Sequence, residues 1–228
     1  AADLCRQLMS FSGTGVLVKE EIDLSDLVRG LSPLMRMSLG RFSLELDVAD
    51  RLPAIEADAT QLRQVIMNLV TNAAEAVGDR DDGVVTVRTR SQDTADSPLY
   101  DQFSTTPLPP GDYVIVEVED NGAGMAPDEM ARAFEPFFTT KFTGRGLGLA
   151  SAYGIVRAHR GSILLCSSPR TGTTATVALP AVRRDASLAN VPSNPRTAAP
   201  SRTASSPRDA LRILVVDDEA HVRTVAAS

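Results

Sequence analysis

Five short stretches arrive in a fixed order along this chain: Asn68–Ala76 (NLVTNAAEA), Asp120–Met125 (DNGAGM), Phe134–Lys141 (FEPFFTTK), Gly144–Leu149 (GRGLGL) and Gly172–Thr174 (GTT). Each is weak alone. Their order is what constrains the chain, because it sets amide side chains on one helix, an acid with glycines at a strand end, and a glycine run at the opening of a second helix.

The hydrophobic periodicity around them supplies those elements. Ile22–Leu39 carries Leu24, Leu27, Val28, Leu31 and Met35 at helical spacing, with Asp23 or Ser25 as the cap. Phe42–Val48 alternates as a strand. Asp58 caps a long helix through Leu62, Val65, Ile66, Leu69, Val70, Ala73 and Val77, ending near Gly78. Val84–Thr89 and Tyr113–Val118 are β-branched runs, separated by a polar, proline-rich insert over Ser91–Asp112 that reads as an exposed loop. Ala126–Phe134 reads as a short helix and Leu147–Arg160 as a longer one stopped at Gly161. Strands follow at Ile163–Ser167 and Thr173–Leu179. The expected fold is an α/β (α+β) two-layer sandwich, a mixed β-sheet backed by helices.

Composition narrows the function classes. A chain of 228 residues, 43% hydrophobic, has the material for a sizeable core. A net charge of −6 argues against a broad surface for nucleic acid or anionic membrane. Cys5 and Cys166 are too few for a disulfide framework or a zinc site, so both are expected to be small buried apolar groups in a reducing, cytoplasmic setting. No apolar run approaches the ~20 residues of a membrane span. Ala181–Asp209 turns to Pro, Ser, Ala, Arg and Asn, too poor in bulky apolar groups to offset chain entropy, and 181–210 is expected to be a flexible linker.

Several side chains suggest chemistry. Asn68 and Asn72 stand four apart, hence on one helix face, and the carboxamide oxygen of Asn72 suits Mg²⁺; local packing is the competing reading. Glu75, a turn on, reads as solvated or structural. Asp120 ends an apolar strand, where its carboxylate can accept a hydrogen bond from an adenine amino group that guanine lacks there. A polar turn explains it equally. Gly122 and Gly124 let backbone approach a ligand closely. Of Met125, Ile66, Leu69 and Val70, at most one is expected to line such a site. Gly144, Gly146 and Gly148 precede a helix near Leu147, whose unpaired N–H groups can face phosphates. Thr139, Thr140 and Lys141 lie between boxes; Lys141 either pairs with a phosphate or is solvated. Phe134, Phe137 and Phe138 are expected to anchor this segment on the core. Gly172 and Thr173 are expected in a hairpin turn before the last strand.

Taken together, these stretches resemble the catalytic ATP-binding domain of sensor histidine kinases, a relative of the gyrase and chaperone ATPases, over Ile22–Pro180. The resemblance implies ATP and Mg²⁺ as cofactors and a mobile ATP lid. It implies Asn68, Asn72 and Lys141 as catalytic residues, with Asn72 on the metal. The implied nucleotide contacts are Asn68, Asn72, Asp120, Gly122, Gly124, Met125, Thr140, Lys141, Gly144, Arg145, Gly146, Leu147, Gly148 and Thr173. Arg145 departs from the family, which often has a small residue there.

Residues 1–14, with Leu4, Leu8 and Phe11 at helical spacing, resemble the tail of the dimerisation and phosphoacceptor hairpin, and 22–180 the catalytic domain. Residues 211–228, opening with LRILVVDDE, resemble the start of a response-regulator receiver, whose Mg²⁺ pair maps to Asp217 and Asp218. The implied whole is a homodimeric hybrid kinase that passes the γ-phosphoryl of ATP to a histidine, then to an aspartate. Its implied partners are its own hairpin, its receiver and a downstream response regulator. His159 and His221 lack the acidic neighbour and following proline of the family's acceptor, so this stretch is not expected to phosphorylate itself. Two alternatives stay open. One is a gyrase- or chaperone-type ATPase, whose families place a water-activating glutamate where Asn68 stands. The other is a non-catalytic nucleotide-binding regulatory module.

Overall fold

The computed structural model describes residues 18–78, 80–141 and 146–182. The stretches expected to be a hairpin tail (1–14), a linker (183–210) and a receiver start (211–228, with Asp217 and Asp218) lie outside the described residues, as do Cys5, His221, Gly144 and Arg145.

Strand β1 (Glu20–Ile22) leads into helix α1 (Leu24–Leu39), and strands β2 (Ser43–Val48) and β3 (Ile55–Ala57) precede helix α2 (Ala59–Val77). Strands β4 (Val84–Asp93) and β5 (Asp112–Asp120) are followed by helices α3 (Pro127–Arg132) and α4 (Gly148–Ala158), then strands β6 (Ser162–Ser168) and β7 (Gly172–Pro180). The main sheet has the order β2-β4-β5-β7-β6, with β2 parallel to β4 and the remaining pairs antiparallel. β1 and β3 form a separate antiparallel pair. This is the mixed sheet backed by helices that the periodicity implied.

Two-residue alternation explains the layering. Val114, Val116 and Val118 of β5 face the helices with Val85 and Val87 of β4 and Val177 and Leu179 of β7, all buried. Against them pack Met35 of α1, Ile66 and Val70 of α2, and Ile155 of α4, each at most 1% exposed. The opposite face divides in two. Glu117 and Glu119 meet Arg90 and Arg88 there as partly solvated ion pairs, each contributing at most about 1 kcal/mol. Further along, Tyr113, Ile115 and Ala178 are covered by Leu99 and Leu108.

That cover corrects the reading of 91–112 as merely an exposed loop. β4 runs on to Asp93 and β5 opens at Asp112. Between them Leu99 and Leu108 close a small second core, while Gln102 donates its backbone N–H to Ile163 (3.0 Å) and accepts from the N–H of Leu165 (2.8 Å) on the edge strand. Scattered apolar residues among prolines carry no period, so their burial was invisible in sequence.

Other boundaries moved for local reasons. Ile22 ends β1 opposite Ile55 instead of opening α1, because the Asp23 carboxylate accepts from the N–H groups of Ser25 and Asp26 and sets the helix start after it. Three-residue strands such as β1 and β3 are too short for alternation to reveal. The helix read over Ala126–Phe134 is confined to α3, with Pro127 in its first turn. Cys166 is exposed rather than buried: Ile163 and Leu165 point inward, so alternation turns Cys166 out. Ala181 and Val182, read as linker, donate their N–H groups to Asp112 (2.9 Å) and Ala54 (2.7 Å). Among the described residues no helix is long and apolar enough to cross a membrane.

Candidate functional site

A cavity of about 440 Å³ opens between the C-terminal half of α2, the ends of β5 and β7, and the segment joining α3 to α4. Its deepest polar group follows directly from strand geometry. Asp120 takes the next inward position after Val114, Val116 and Val118, so the alternation that builds the core also points a carboxylate into the cavity. It is 6% exposed, and its Oδ1 accepts from the N–H of Gly122 at 2.8 Å. Burial raises its pKa above the usual carboxylate value, while the N–H groups of Gly122 and Thr173 and the charge of Lys141 pull the other way. An acceptor so held has lone pairs left for a donor in the cavity.

Around Asp120 the wall is stitched. Thr173 lies opposite Asp120 across β5 and β7, and Ser167 links the Thr173 hydroxyl (2.9 Å) to the N–H of Met125 (2.8 Å). Ser167 drew no attention in the sequence, where a strand serine carries no motif. Met125 and Leu69 both line the cavity, so the expectation of at most one apolar contact from that group is corrected. Gly122 does not line it. A side chain there would meet the backbone carbonyl of Ala76 at 2.4 Å, so its close approach is to α2 and not to a ligand.

Behind the far side of the cavity runs a polar ladder between α2 and α4. Gln64, Asn68 and Asn72 repeat every four residues, a spacing that lines one helix face. Gln64 donates to the Ser151 hydroxyl (3.2 Å) and Asn68 to the Gly148 carbonyl (3.2 Å). Asn72 stands beside the Gly148 backbone and lines the cavity. Asn68 therefore braces the two helices and does not line the cavity, whereas Asn72 presents its carboxamide there. Gly148 opens α4 after Leu147, and among the described residues no side chain caps this end. The leading N–H groups of α4 and its positive dipole end remain for an anion.

The third side is built from residues 134–141 and 146–147. Thr140, Lys141, Gly146, Leu147 and Gly148 line the cavity here. Lys141 Nζ donates to Glu75 Oε2 (2.6 Å) and to the Asn72 carbonyl (3.3 Å). The three phenylalanines divide. Phe134 is buried and Phe138 is half-buried under the Arg132 guanidinium at 4.4 Å, but Phe137 is exposed with φ of 68°. It therefore does not anchor the segment by burial. Its backbone does, through the N–H bonded to the Gly146 carbonyl at 2.8 Å.

Of the implied contacts, Asn72, Asp120, Gly124, Met125, Thr140, Lys141, Gly146, Leu147, Gly148 and Thr173 converge on this cavity, while Asn68 and Gly122 do not. His159 is remote from acceptor chemistry. It is buried at the end of α4, with Nδ1 donating to Ile155 (2.8 Å) and Nε2 accepting from the N–H of Asp58 (3.0 Å), so both ring nitrogens are engaged.

The family profile for the histidine kinase-, DNA gyrase B- and HSP90-like ATPases matches residues 57–183, a stretch holding every residue that lines the cavity. The chain belongs to that family. Sensor kinase CckA of Brucella abortus (strain 2308) is 36% identical over 229 residues, covering 98% of this chain and 23% of that protein. The sensory histidine kinase/phosphatase NtrB of Rhizobium leguminosarum bv. phaseoli is 42% identical over 151 residues, 66% of this chain and 38% of that one. Among solved structures, full-length ShkA in complex with AMPPNP superposes with a TM-score of 0.61 at 26% identity, over 78% of this chain and 35% of that one. The catalytic domain of histidine kinase ThkA gives 0.53 at 26% identity, over 72% and 95%. The chain spans well under half the length of the curated relatives it matches. These likenesses identify the ATP-binding domain of a histidine kinase-like ATPase, with its helix-backed mixed sheet.

Proposed function

We propose that this chain binds Mg²⁺ with ATP and serves as the catalytic domain of a sensor histidine kinase, directing the γ-phosphoryl group to a histidine of the dimerisation hairpin, neither His159 nor His221. One observation carries the reading. A buried carboxylate, an asparagine carboxamide and a helix N-terminus line one cavity. Asp120 accepts from the adenine amino group, and guanine offers a carbonyl at that position, which an ionised carboxylate repels. The α4 N–H groups bind the phosphate oxygens. Phosphoryl transfer needs positioning and charge neutralisation above covalent chemistry, and these residues supply both.

The residues present fit Mg²⁺. A single neutral carboxamide oxygen from Asn72 is the kind of donor set left to a cation that keeps phosphate and water ligands. Bound there, the ion would neutralise charge between neighbouring phosphates. Asn68, tied to Gly148, keeps α2 and α4 in register beneath it and takes a positioning role. Lys141, paired with Glu75 and lining the cavity, is a cation for a terminal phosphate.

The wider assignment is a hybrid kinase: residues 1–14 end its dimerisation hairpin and 211–228 begin its receiver, with Asp217 and Asp218 on the receiver's Mg²⁺. The sequence likeness to CckA over nearly the whole chain supports treating these flanks as parts of one signalling protein. Against gyrase-type hydrolysis stands Asn68, an amide bonded to a backbone carbonyl where a water-activating carboxylate would be required.

Titration with ATP and GTP in the presence of Mg²⁺ tests the nucleotide reading; equal affinities would end it. Labelled ATP with a separately supplied hairpin tests transfer. Label is expected on the hairpin and not on this chain, and Asn72→Ala is expected to suppress it. Labelled His159 would overturn the assignment.

A further inference from the structure

Three consecutive residues of the β4–β5 insert grip three separate elements. Asp101 is buried; its Oδ1 accepts from the N–H of Phe103 (3.2 Å) and its Oδ2 lies 3.6 Å from Nη1 of Arg157 on α4. Gln102 binds both Ile163 and Leu165 of the edge strand β6 through its backbone and side chain. Phe103 then sets its ring edge-on against Phe134 (5.7 Å between centroids, 72°) and Tyr153 (5.3 Å, 86°). Phe134 and Tyr153 also meet, at 5.5 Å.

Phe103 is 59% exposed, so burial contributes little to holding it there. Its place is imposed by Asp101 and Gln102, and what it gains is edge contact with the two rings beneath. One of these, Phe134, is the root of the segment whose described residues Phe138–Lys141 and Gly146–Leu147 line the cavity. From Phe134 the connection is short: the Phe137 N–H bonds the Gly146 carbonyl, and Gly146 stands two residues before the first residue of α4. Tyr153, the other ring, lies on α4 itself. The Phe103 ring therefore touches both the root of this segment and the phosphate-facing helix, which Asp101 also meets through Arg157, while neither Asp120 nor Thr173 is bonded to the insert.

We infer that the β4–β5 insert is a clamp on the root of the lid, and that Phe103 is a positioning residue for the triphosphate end of the site. The inference rests on the nucleotide reading above. Phe103→Ala is expected to lower ATP affinity about fivefold. ADP affinity should stay within about twofold, because the base end is untouched and the terminal phosphate depends most on the lid. Phe103→Tyr, which keeps the ring, should restore the parent value. Equal loss for both nucleotides, or none for ATP, would overturn the clamp.

Amide exchange without nucleotide separates this failure from failure of the nucleotide reading. The N–H groups of Phe137 and Phe138, bonded to Gly146 (2.8 Å) and Glu135 (3.1 Å), should exchange faster in Phe103→Ala than in the parent. Unchanged exchange there sinks the clamp whatever the chain binds. A parent that binds no ATP yet shows the faster exchange in the variant sinks the nucleotide reading alone.

Discussion

The two walls of the cavity are held by different means. The wall of α2, β5 and β7 is an extension of the core: Asp120 continues an inward stripe of valines, and Gly122 is pressed against the α2 backbone. The wall of residues 134–141 and 146–147 is held largely by exchangeable contacts: beside the buried Phe134 ring at its root stand the Phe137–Gly146 backbone hydrogen bond and the Lys141–Glu75 ion pair. The first wall is suited to reading a base without moving. The second holds its cavity-lining groups on contacts that can be exchanged for a ligand's. On the proposed nucleotide reading, specificity and turnover would fall to parts of the fold with different local stability.

Asp120 gives the sharpest way to break this contrast. Asp120→Ala should weaken ATP binding by tenfold or more, since a lost hydrogen bond to a charged group costs about 1.5–3 kcal/mol, and should erase preference over GTP. Calorimetric titration reads both. If discrimination survived, the fixed wall would not be the base reader.

Two glycines make a matched pair. An added Cβ would sit 2.4 Å from backbone atoms at both Gly122 and Gly146. At Gly122 the obstacle is the Ala76 backbone in the packed layer, so Gly122→Ala should cost about 1–3 kcal/mol of global stability, measured by denaturant unfolding. At Gly146 the obstacle is the Phe137–Phe138 turn, and φ of 64° adds strain. Gly146→Ala should disturb the lid, weakening ATP binding while global stability changes by less than about 0.5 kcal/mol. Equal stability losses would mean the two walls are one cooperative unit.

A smaller effect follows from the charge on Asp120. Its folded pKa is raised, so its contribution to stability is fully present below the ordinary value of 3.8 and is lost as pH rises through the folded value. Asp120→Asn removes that loss. The variant should unfold at a higher temperature than the parent at neutral pH, with the advantage vanishing in acid below the ordinary carboxylate value. An advantage independent of pH would assign the gain to something other than ionisation.

The smallest expected effect lies on the lid. Glu75→Gln releases Lys141 from a half-exposed pair and should change stability by less than about 1 kcal/mol. ATP affinity should rise slightly if Lys141 transfers to the terminal phosphate, which the same titration would detect.

Asp23 and Asp58 are good examples of what was legible locally: each caps its helix through two N–H groups in the way its side chain predicts. The strands around Val85 and Val116 were equally clear, because buried β-branched residues leave a strong pattern. Asn68 shows the limit. It shares motif, helix and face with Asn72, and only the position of Gly148 decides that one braces and the other lines the cavity. Phe137 shows it again, since a positive φ sends outward a ring that composition would bury.

By itself the sequence determined the helix-backed mixed sheet, the order of its main elements and the inward stripe that ends at Asp120, since these depend on periodicity and caps among near neighbours. It also marked most of the residues that meet in the cavity. Tertiary structure alone decided that Gly122 serves helix packing, that Gln64 and Ser167 hold the site from behind, and that residues 101–103 reach the lid root. Those roles depend on contacts between residues far apart in the chain: 87 residues separate Gln64 from Ser151, and 63 separate Gln102 from Leu165. Neither partner of such a pair bears any local mark of the other.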